Sequence, residues 1–172
     1  MTTDIFLSIG RSAAPEQGVF TATLEKLLTA NGLRPRTVGR TDFAREKPLK
    51  TILEVMQECS GTIVIAFERF HFEQGVEFPG GSEEIQQKNI HLPTVWNQVE
   101  AAMAYTLGQP LLAIADSKLR GEGLLEDGYD WFVKWLELTP QSLEDPAFLR
   151  TFQEWEENVK AYQAARETHQ RP

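Results

Sequence analysis

One stretch of the chain, residues 92–116, constrains the fold more than any other. It holds a helical pattern followed directly by a short apolar run, Leu111–Ala115. Such a run is too short for a buried helix but fits a strand covered on both faces, as in a parallel sheet. The helix is expected to begin after Thr94, a good N-cap residue, and to end at Gly108, before Pro110. The stretch therefore predicts a helix that leads into a central parallel strand.

The same alternation of strands and helices extends along most of the chain. Strands are predicted over Asp4–Ile9, Arg34–Val38, Thr62–Phe67, Leu111–Ala115 and Tyr129–Leu136, and helices over about 15–30, 48–60, 94–107 and 146–165. This alternation predicts an α/β fold with a doubly wound, mostly parallel five-stranded sheet in three layers. By analogy with other compact folds of this type we expect the flavodoxin-like order 2-1-3-4-5. Residues 68–92 are predicted to form a long loop, a kind of segment that is usually functional or mobile.

Length, charge and cysteine content limit the class of protein. With 172 residues, the chain is expected to form one nucleotide-binding-like domain over 1–166, followed by a polar tail at 167–172. No apolar run or leader pattern predicts a membrane span or a signal peptide, and the single cysteine, Cys59, fits a reducing compartment, so a cytoplasmic location is expected. The net charge of −8 argues against nucleic acid as a partner but leaves room for a small anionic ligand.

The predicted topology also indicates where a ligand would bind. Ligands of open α/β sheets bind beyond the carboxyl ends of the strands, at the point where the strand order reverses. For the expected order this point lies between the first and third strands. The candidate site residues are Ser8, Gly10, Arg11 and Ser12 after the first strand, Phe70 after the third strand, and Trp96, Asn97 and Glu100 at the start of the following helix.

The helix that carries Glu100 has two faces of different character. Large residues recur at helical spacing on one face and are expected to pack in the core; they are Trp96, Val99, Met103 and Leu107. Asn97, Glu100, Ala101, Ala104 and Gly108 form a neighbouring stripe of small residues with one amide and one carboxylate. A stripe of this kind allows close approach to a sheet or to a ligand. Glu100 is therefore the leading candidate for chemistry, although a solvated acid near a helix start, favoured by the macrodipole, is the simpler interpretation.

Three segments of the chain resemble the nucleoside 2-deoxyribosyltransferase-like and TIR-like superfamily. They are the strand and loop at 4–12, the turn and strand at 59–66, and the helix at 97–110, whose sequence NQVEAAMAYTLGQP is similar to the signature E-x-G-x-A-x-x-x-G-K-P. Ala102 stands where the transferases usually have Gly, and Gln109 where they have Lys. The acidic residues that hold the sugar in those enzymes are not evident at 92–94.

The resemblance implies cleavage or transfer at an N-glycosidic bond. Glu100 would stabilise or attack an oxocarbenium-like ribose, as carboxylates do in glycoside hydrolysis. NAD is the expected substrate, because its nicotinamide already carries positive charge and leaves without a general acid; neither a metal nor another cofactor is expected. Phe70 and Trp96 could stack on a base, while Arg11, Ser12 and backbone N–H groups of the first loop could hold phosphate. A role in bacterial defence and assembly into a homo-oligomer are further implications.

Two non-enzymatic functions stay open beside this hypothesis, namely a nucleotide-sensing module and a self-assembling TIR-like module. Two other groups of residues contain side chains that can bind metal or act as nucleophiles. His71 and His91 flank the predicted loop near Glu68, but no spacing matches a known metal site, so solvated histidines are expected. Cys59 lies at a helix end beside an apolar strand and is expected to be packed rather than nucleophilic.

Overall fold

The computed structural model describes residues 2–10, 14–43, 48–126 and 128–169. The strands, in chain order, are β1 (Thr3–Ile9), β2 (Leu33–Arg36), β3 (Thr62–Ala66), β4 (Phe70–Glu77), β5 (Ile85–Leu92), β6 (Leu111–Asp116) and β7 (Phe132–Leu136). The α-helices are α1 (Pro15–Ala30), α2 (Pro48–Glu58), α3 (Val95–Thr106) and α4 (Pro146–His169). Short 3₁₀ helices cover Gly123–Leu125 and Pro140–Glu144.

Five of the strands form a parallel sheet in the order β2-β1-β3-β6-β7. Counted among these five alone, the order is the expected 2-1-3-4-5, and the doubly wound α/β prediction is confirmed. β3 and β6 lie in the middle, and every residue of β3 is buried, as its run of β-branched residues indicates. β2 is an edge strand, which accommodates Pro35 because an edge strand can lack one backbone donor.

Helices cover both faces of this sheet and enclose two cores. On one face, α1 and α4 bury large side chains against alternate residues of the central strands; among these side chains are Phe20, Leu24, Phe148, Phe152 and Trp155. On the other face, α2 and α3 enclose a core that is rich in alanine. Its alanines are Ala101 and Ala104 of α3 itself and Ala66, Ala113 and Ala115 of the sheet.

The segment predicted as a loop at 68–92 forms a β-hairpin, so that prediction is wrong. β4 and β5 pair with each other in antiparallel register and make a separate two-stranded sheet. The prediction missed it because most of its residues are polar and exposed, so no buried face marks the strands in the sequence. Arg120, after β6, anchors the hairpin: its backbone N–H donates to the carbonyl of His91 at 2.9 Å, and its guanidinium pairs with Glu77.

The face of α3 that packs on the sheet also differs from the prediction. The buried residues of α3 are Asn97, Ala101 and Ala104, which belong to the small stripe. Trp96 is instead 49% exposed. The remaining large residues, Val99, Met103 and Leu107, are only partly buried and line an apolar groove of about 450 Å³ beside Leu53. The small stripe of α3 faces alanines of β3 and β6. It therefore lets α3 approach the sheet more closely than the face with the large residues would.

Smaller differences concern element ends. β7 begins at Phe132, three residues after the predicted start at Tyr129. α4 continues through His169, beyond the predicted end at 165 and into the predicted tail. Among the described helices, none has the length and apolarity that a membrane span requires.

Candidate functional site

Three of the predicted site residues meet where β1 ends and α3 begins. Ser8, which pairs with Val64 of β3, accepts a hydrogen bond at its Oγ from Nδ2 of Asn97 at 2.9 Å. The Ser8 hydroxyl also interacts with the Glu100 carboxyl group and lowers its pKa. Ser8 and Asn97 are each only 1% exposed. The structure thus joins these three residues in one polar network at the carboxyl end of the first strand, beside the third.

Local sequence explains how α3 reaches this position. Thr94 caps the helix, with its Oγ1 accepting a hydrogen bond from the Trp96 N–H at 3.4 Å, as its position in the sequence predicts. Gly10, just beyond β1, passes close to this cap: a Cβ atom at Gly10 would lie 3.3 Å from Cγ2 of Thr94. A larger residue at position 10 would therefore press on the start of α3 and on the network one turn further along.

The Glu100 carboxyl group lies in a poorly hydrated environment. Burial raises its pKa, because a charged carboxylate loses solvation when it is withdrawn from water, and the interaction with Ser8 opposes this effect without cancelling it. The interpretation of Glu100 as a solvated acid is therefore not supported. A carboxyl group with a raised pKa beside a buried polar pair is typical of functional sites.

Asn97 contributes an unsatisfied acceptor to the same network. In the described part of the chain, its Oδ1 atom is buried and has no hydrogen-bond partner. Leaving such an acceptor unpaired costs about 1–3 kcal/mol, so native proteins usually provide a donor. A hydroxyl group of a ligand is one donor that would satisfy it.

Two cavities open at the same edge of the sheet. One, of about 510 Å³, lies over the ends of β1 and β2 and is lined in part by Gly10, Thr37 and Arg40. The other, of about 500 Å³, lies over the ends of β3 and β6 and includes Asp116 and Lys118. Both volumes are in the range of small-molecule sites. The first cavity has one cationic side chain, Arg40, and no acidic one among its lining residues, which suits a phosphate group. In the second cavity, Lys118 lies among the carboxylates of Glu16, Asp116 and Glu137, which disfavour an anion.

Arg40 and Lys118 were not among the predicted site residues. Each follows closely on a parallel strand, and that position was the signal that could have identified them. Arg40 is held by an ion pair with Glu25 at 2.8 Å, yet half of its side chain stays exposed. Its cavity includes Gly10 and so adjoins the loop after β1 that was predicted to hold phosphate.

The structure does not place the remaining predicted site residues in this network. Phe70 is 48% exposed and stacks on Phe72, with ring centroids 6.1 Å apart, in the hairpin. Trp96 is also half exposed, on the first turn of α3. Arg11 and Ser12 lie outside the described residues. Stacking of a base on Phe70 or Trp96 therefore stays a prediction.

The structure also decides how Cys59 and the two loop histidines are placed. Cys59 is fully buried, and burial raises the pKa of its thiol to about 12, so the cysteine is packed and not activated, as expected. His71 and His91 are not isolated in a loop: their rings stack across the hairpin, with centroids 4.2 Å apart. Glu68 lies beside them, 2.9 Å from Nδ1 of His91.

Comparison with known proteins bears on the fold. No protein-family model and no curated protein matches the sequence. Among solved structures, the CMP N-glycosidase BcmB of Clostridium botulinum matches with a TM-score of 0.52 over 81% of this chain and 93% of that one, at 11% identity. The chain has the fold of that enzyme. At this identity the match shows the fold alone, and it gives no support to the TIR-like part of the resemblance.

Proposed function

We propose that this protein is a nucleotide N-glycosidase or ribosyl-transferring enzyme with Glu100 as its catalytic carboxylate. The observation that carries the proposal is the network of Ser8, Asn97 and Glu100 at the switch point of the sheet, where α/β folds bind ligands. The shared fold with a CMP N-glycosidase supports the same class of reaction. The fold match supports no particular substrate and no particular residue role. Those parts of the proposal rest on the site itself.

The chemistry needs a carboxylate beneath the sugar ring. As the N-glycosidic bond breaks, positive charge develops on C1′ and the ring oxygen, and an ionised Glu100 would stabilise that charge or attack C1′. Partial withdrawal from water strengthens this interaction. Ser8 orients the carboxyl group, while Asn97 holds Ser8 and offers its unpaired Oδ1 to a ribose hydroxyl.

A nucleotide is the substrate class that we propose for this edge of the sheet. Arg40, in the cavity over the ends of β1 and β2, could pair with a phosphate group. NAD is the finer hypothesis, since its cationic nicotinamide leaves without a proton donor. CMP is a second hypothesis, because the structural neighbour is a CMP N-glycosidase.

The direct test is release of free base from a panel of NAD, CMP, other nucleotides and nucleosides, followed by chromatography. With the best substrate, Glu100→Gln is expected to lower kcat by about 10²–10³-fold, the loss typical of one preorganised electrostatic group. Glu157→Gln makes the same change at an exposed position of α4 and should leave kcat unchanged. No turnover of any panel member at high protein concentration, or full activity of Glu100→Gln, would contradict the proposal.

A nucleotide-sensing module is the second candidate. It is favoured by residues 92–94, Leu-Pro-Thr, which lack the acids that the resemblance leads one to expect for holding the sugar. Thermal denaturation with the same panel separates the two functions. A rise in Tm with a nucleotide that is recovered intact would indicate sensing, whereas product formation would indicate an enzyme.

A further inference from the structure

We propose that Glu68, His71 and His91 form a binding site for a divalent transition metal ion, best suited to Zn²⁺, at the base of the β4–β5 hairpin. Their candidate ligand atoms all lie within 4.8 Å of one another. Two imidazoles and one carboxylate, with a position left for water, are a donor set that Zn²⁺ commonly takes. The site shares no residue with the Ser8–Asn97–Glu100 network and does not depend on the proposed function.

Strand pairing, rather than sequence spacing, creates the arrangement. His71 of β4 and His91 of β5 are register partners in the antiparallel ladder, so both side chains lie on the same face. Their rings are nearly parallel, with an interplanar angle of 14°. Glu68, two residues before β4, brings its Oε2 to 2.9 Å from Nδ1 of His91.

The geometry needs only side-chain adjustment to accept an ion. Ligand atoms about 2.1 Å from a tetrahedral zinc lie about 3.4 Å apart. The distance between Oε2 of Glu68 and Nδ1 of His91, 2.9 Å, is already close to that ligand separation. The exposed His71 side chain can rotate toward these two atoms. The backbone beneath is held by hydrogen bonds, since the Arg69 N–H donates to the Leu92 carbonyl at 2.8 Å and the Arg120 N–H donates to the His91 carbonyl.

A bound ion would connect the exit of β3 to both strands of the hairpin. An isolated two-stranded hairpin is marginally stable in water, and this one has mostly exposed side chains. β5 leads through Pro93 directly into the Thr94 cap of α3. Metal binding would therefore stiffen the segment that precedes the helix carrying Glu100.

The test uses the full chain without a histidine tag, treated with chelator, dialysed and titrated with Co²⁺ and Zn²⁺. We expect saturable binding of one equivalent, a visible Co²⁺ absorption that Zn²⁺ abolishes, and a rise in Tm with Zn²⁺. His71→Ala and Glu68→Gln should each weaken affinity by at least about tenfold. Glu73→Ala, an exposed change two residues along the same strand, is the matched control and should bind as the wild type does.

Two results would overturn the proposal. One is the absence of saturable binding of either ion. The other is binding that is equally strong in the wild type, His71→Ala and Glu68→Gln, which would show that the ion is held elsewhere. Because His71 is exposed, His71→Ala is expected to stay folded, and its far-ultraviolet circular dichroism should match that of the wild type. Base release by the metal-free protein is assayed in parallel, so the two proposals can fail separately.

Discussion

The Glu100 carboxyl group combines partial burial with an interaction with the Ser8 hydroxyl, and this environment predicts a pH dependence of activity. Because the ionised form stabilises positive charge on the sugar, kcat/KM should rise with pH through the raised pKa of Glu100. The midpoint of the acid limb is expected above about 4.3, the usual value for a glutamate.

The role of Ser8 in this pH dependence can be tested separately. The Ser8 hydroxyl lowers the pKa of Glu100, so Ser8→Ala should move the acid limb to higher pH. Ser82→Ala, at an exposed site in the hairpin connection, should not move it. An acid limb that stays in place in Ser8→Ala would show that Ser8 does not set the pKa of the group that controls the rate.

Burial of Glu100 also predicts a cost to stability. Since its pKa is raised in the folded state, the folded protein loses stability relative to the unfolded chain as pH rises from the ordinary glutamate value through the raised one. Glu100→Gln removes this cost and should raise the free energy of unfolding at pH 7 by about 0.5–2 kcal/mol. The gain should shrink as pH falls toward about 4. Denaturant unfolding at several pH values measures it, and a gain independent of pH would contradict the explanation.

At the scale of elements, Gln109 holds a helix end to a strand. Its Nε2 donates to the carbonyls of Met56 and Cys59 at 2.6 and 3.0 Å, and its Oε1 accepts from Thr62 Oγ1 at 2.9 Å. All three bonds are buried and connect the end of α2, the following turn and the start of β3. Gln109 therefore has a structural role here.

Loss of these hydrogen bonds should lower the free energy of unfolding by a measurable amount. Gln109→Ala removes three buried hydrogen bonds, each worth about 0.5–1.5 kcal/mol. The Met56 carbonyl still accepts from the Cys59 N–H and the Cys59 carbonyl from Arg166, whereas the Thr62 hydroxyl loses its partner. We expect the free energy of unfolding to fall by at least about 2 kcal/mol. Gln153→Ala, on the exposed side of α4, should change it by less than about 0.5 kcal/mol. Equal effects of the two substitutions in urea unfolding would contradict this role.

At the scale of the whole molecule, the spacing between the sheet and α4 depends on Gly61, at the entrance to β3. A Cβ atom there would lie 2.6 Å from Cγ2 of Val159 and 3.3 Å from Cζ2 of Trp155. Both neighbours are fully buried, and the β-branched Val159 has little rotamer freedom. Gly61→Ala should therefore force the layers apart and lower the free energy of unfolding by about 1–3 kcal/mol.

Gly18→Ala is the matched control for this overpacking. Gly18 lies within α1, and a Cβ atom there would meet nothing within 4 Å. The same substitution should raise stability by about 0.5–1 kcal/mol, because alanine favours the helix. Stability changes of opposite sign for the two substitutions, measured by thermal or urea unfolding, would support the explanation. A Gly61→Ala variant as stable as the wild type would show that α4 adapts without cost.

Local patterns in the sequence were enough to predict the main sheet and the position of Glu100. The apolar runs of β1, β3 and β6, the Thr94 cap and the Gly108 stop each depend on neighbouring residues only. Given the predicted strand order, the switch-point rule placed Ser8, Asn97 and Glu100 near one another. In the structure, Asn97 donates a hydrogen bond to Ser8, and Ser8 interacts with Glu100.

Tertiary structure alone decided three further features. The packing face of α3 depends on the alanines that β3 and β6 present to it, which lie far away in sequence. The hairpin has no buried face to mark it, so the pairing of His71 with His91 became visible only with the register of β4 and β5. Arg40 became a candidate for phosphate binding only through the cavity formed between the ends of β1 and β2. In each case the deciding interaction joins distant parts of the chain, which a local pattern does not encode.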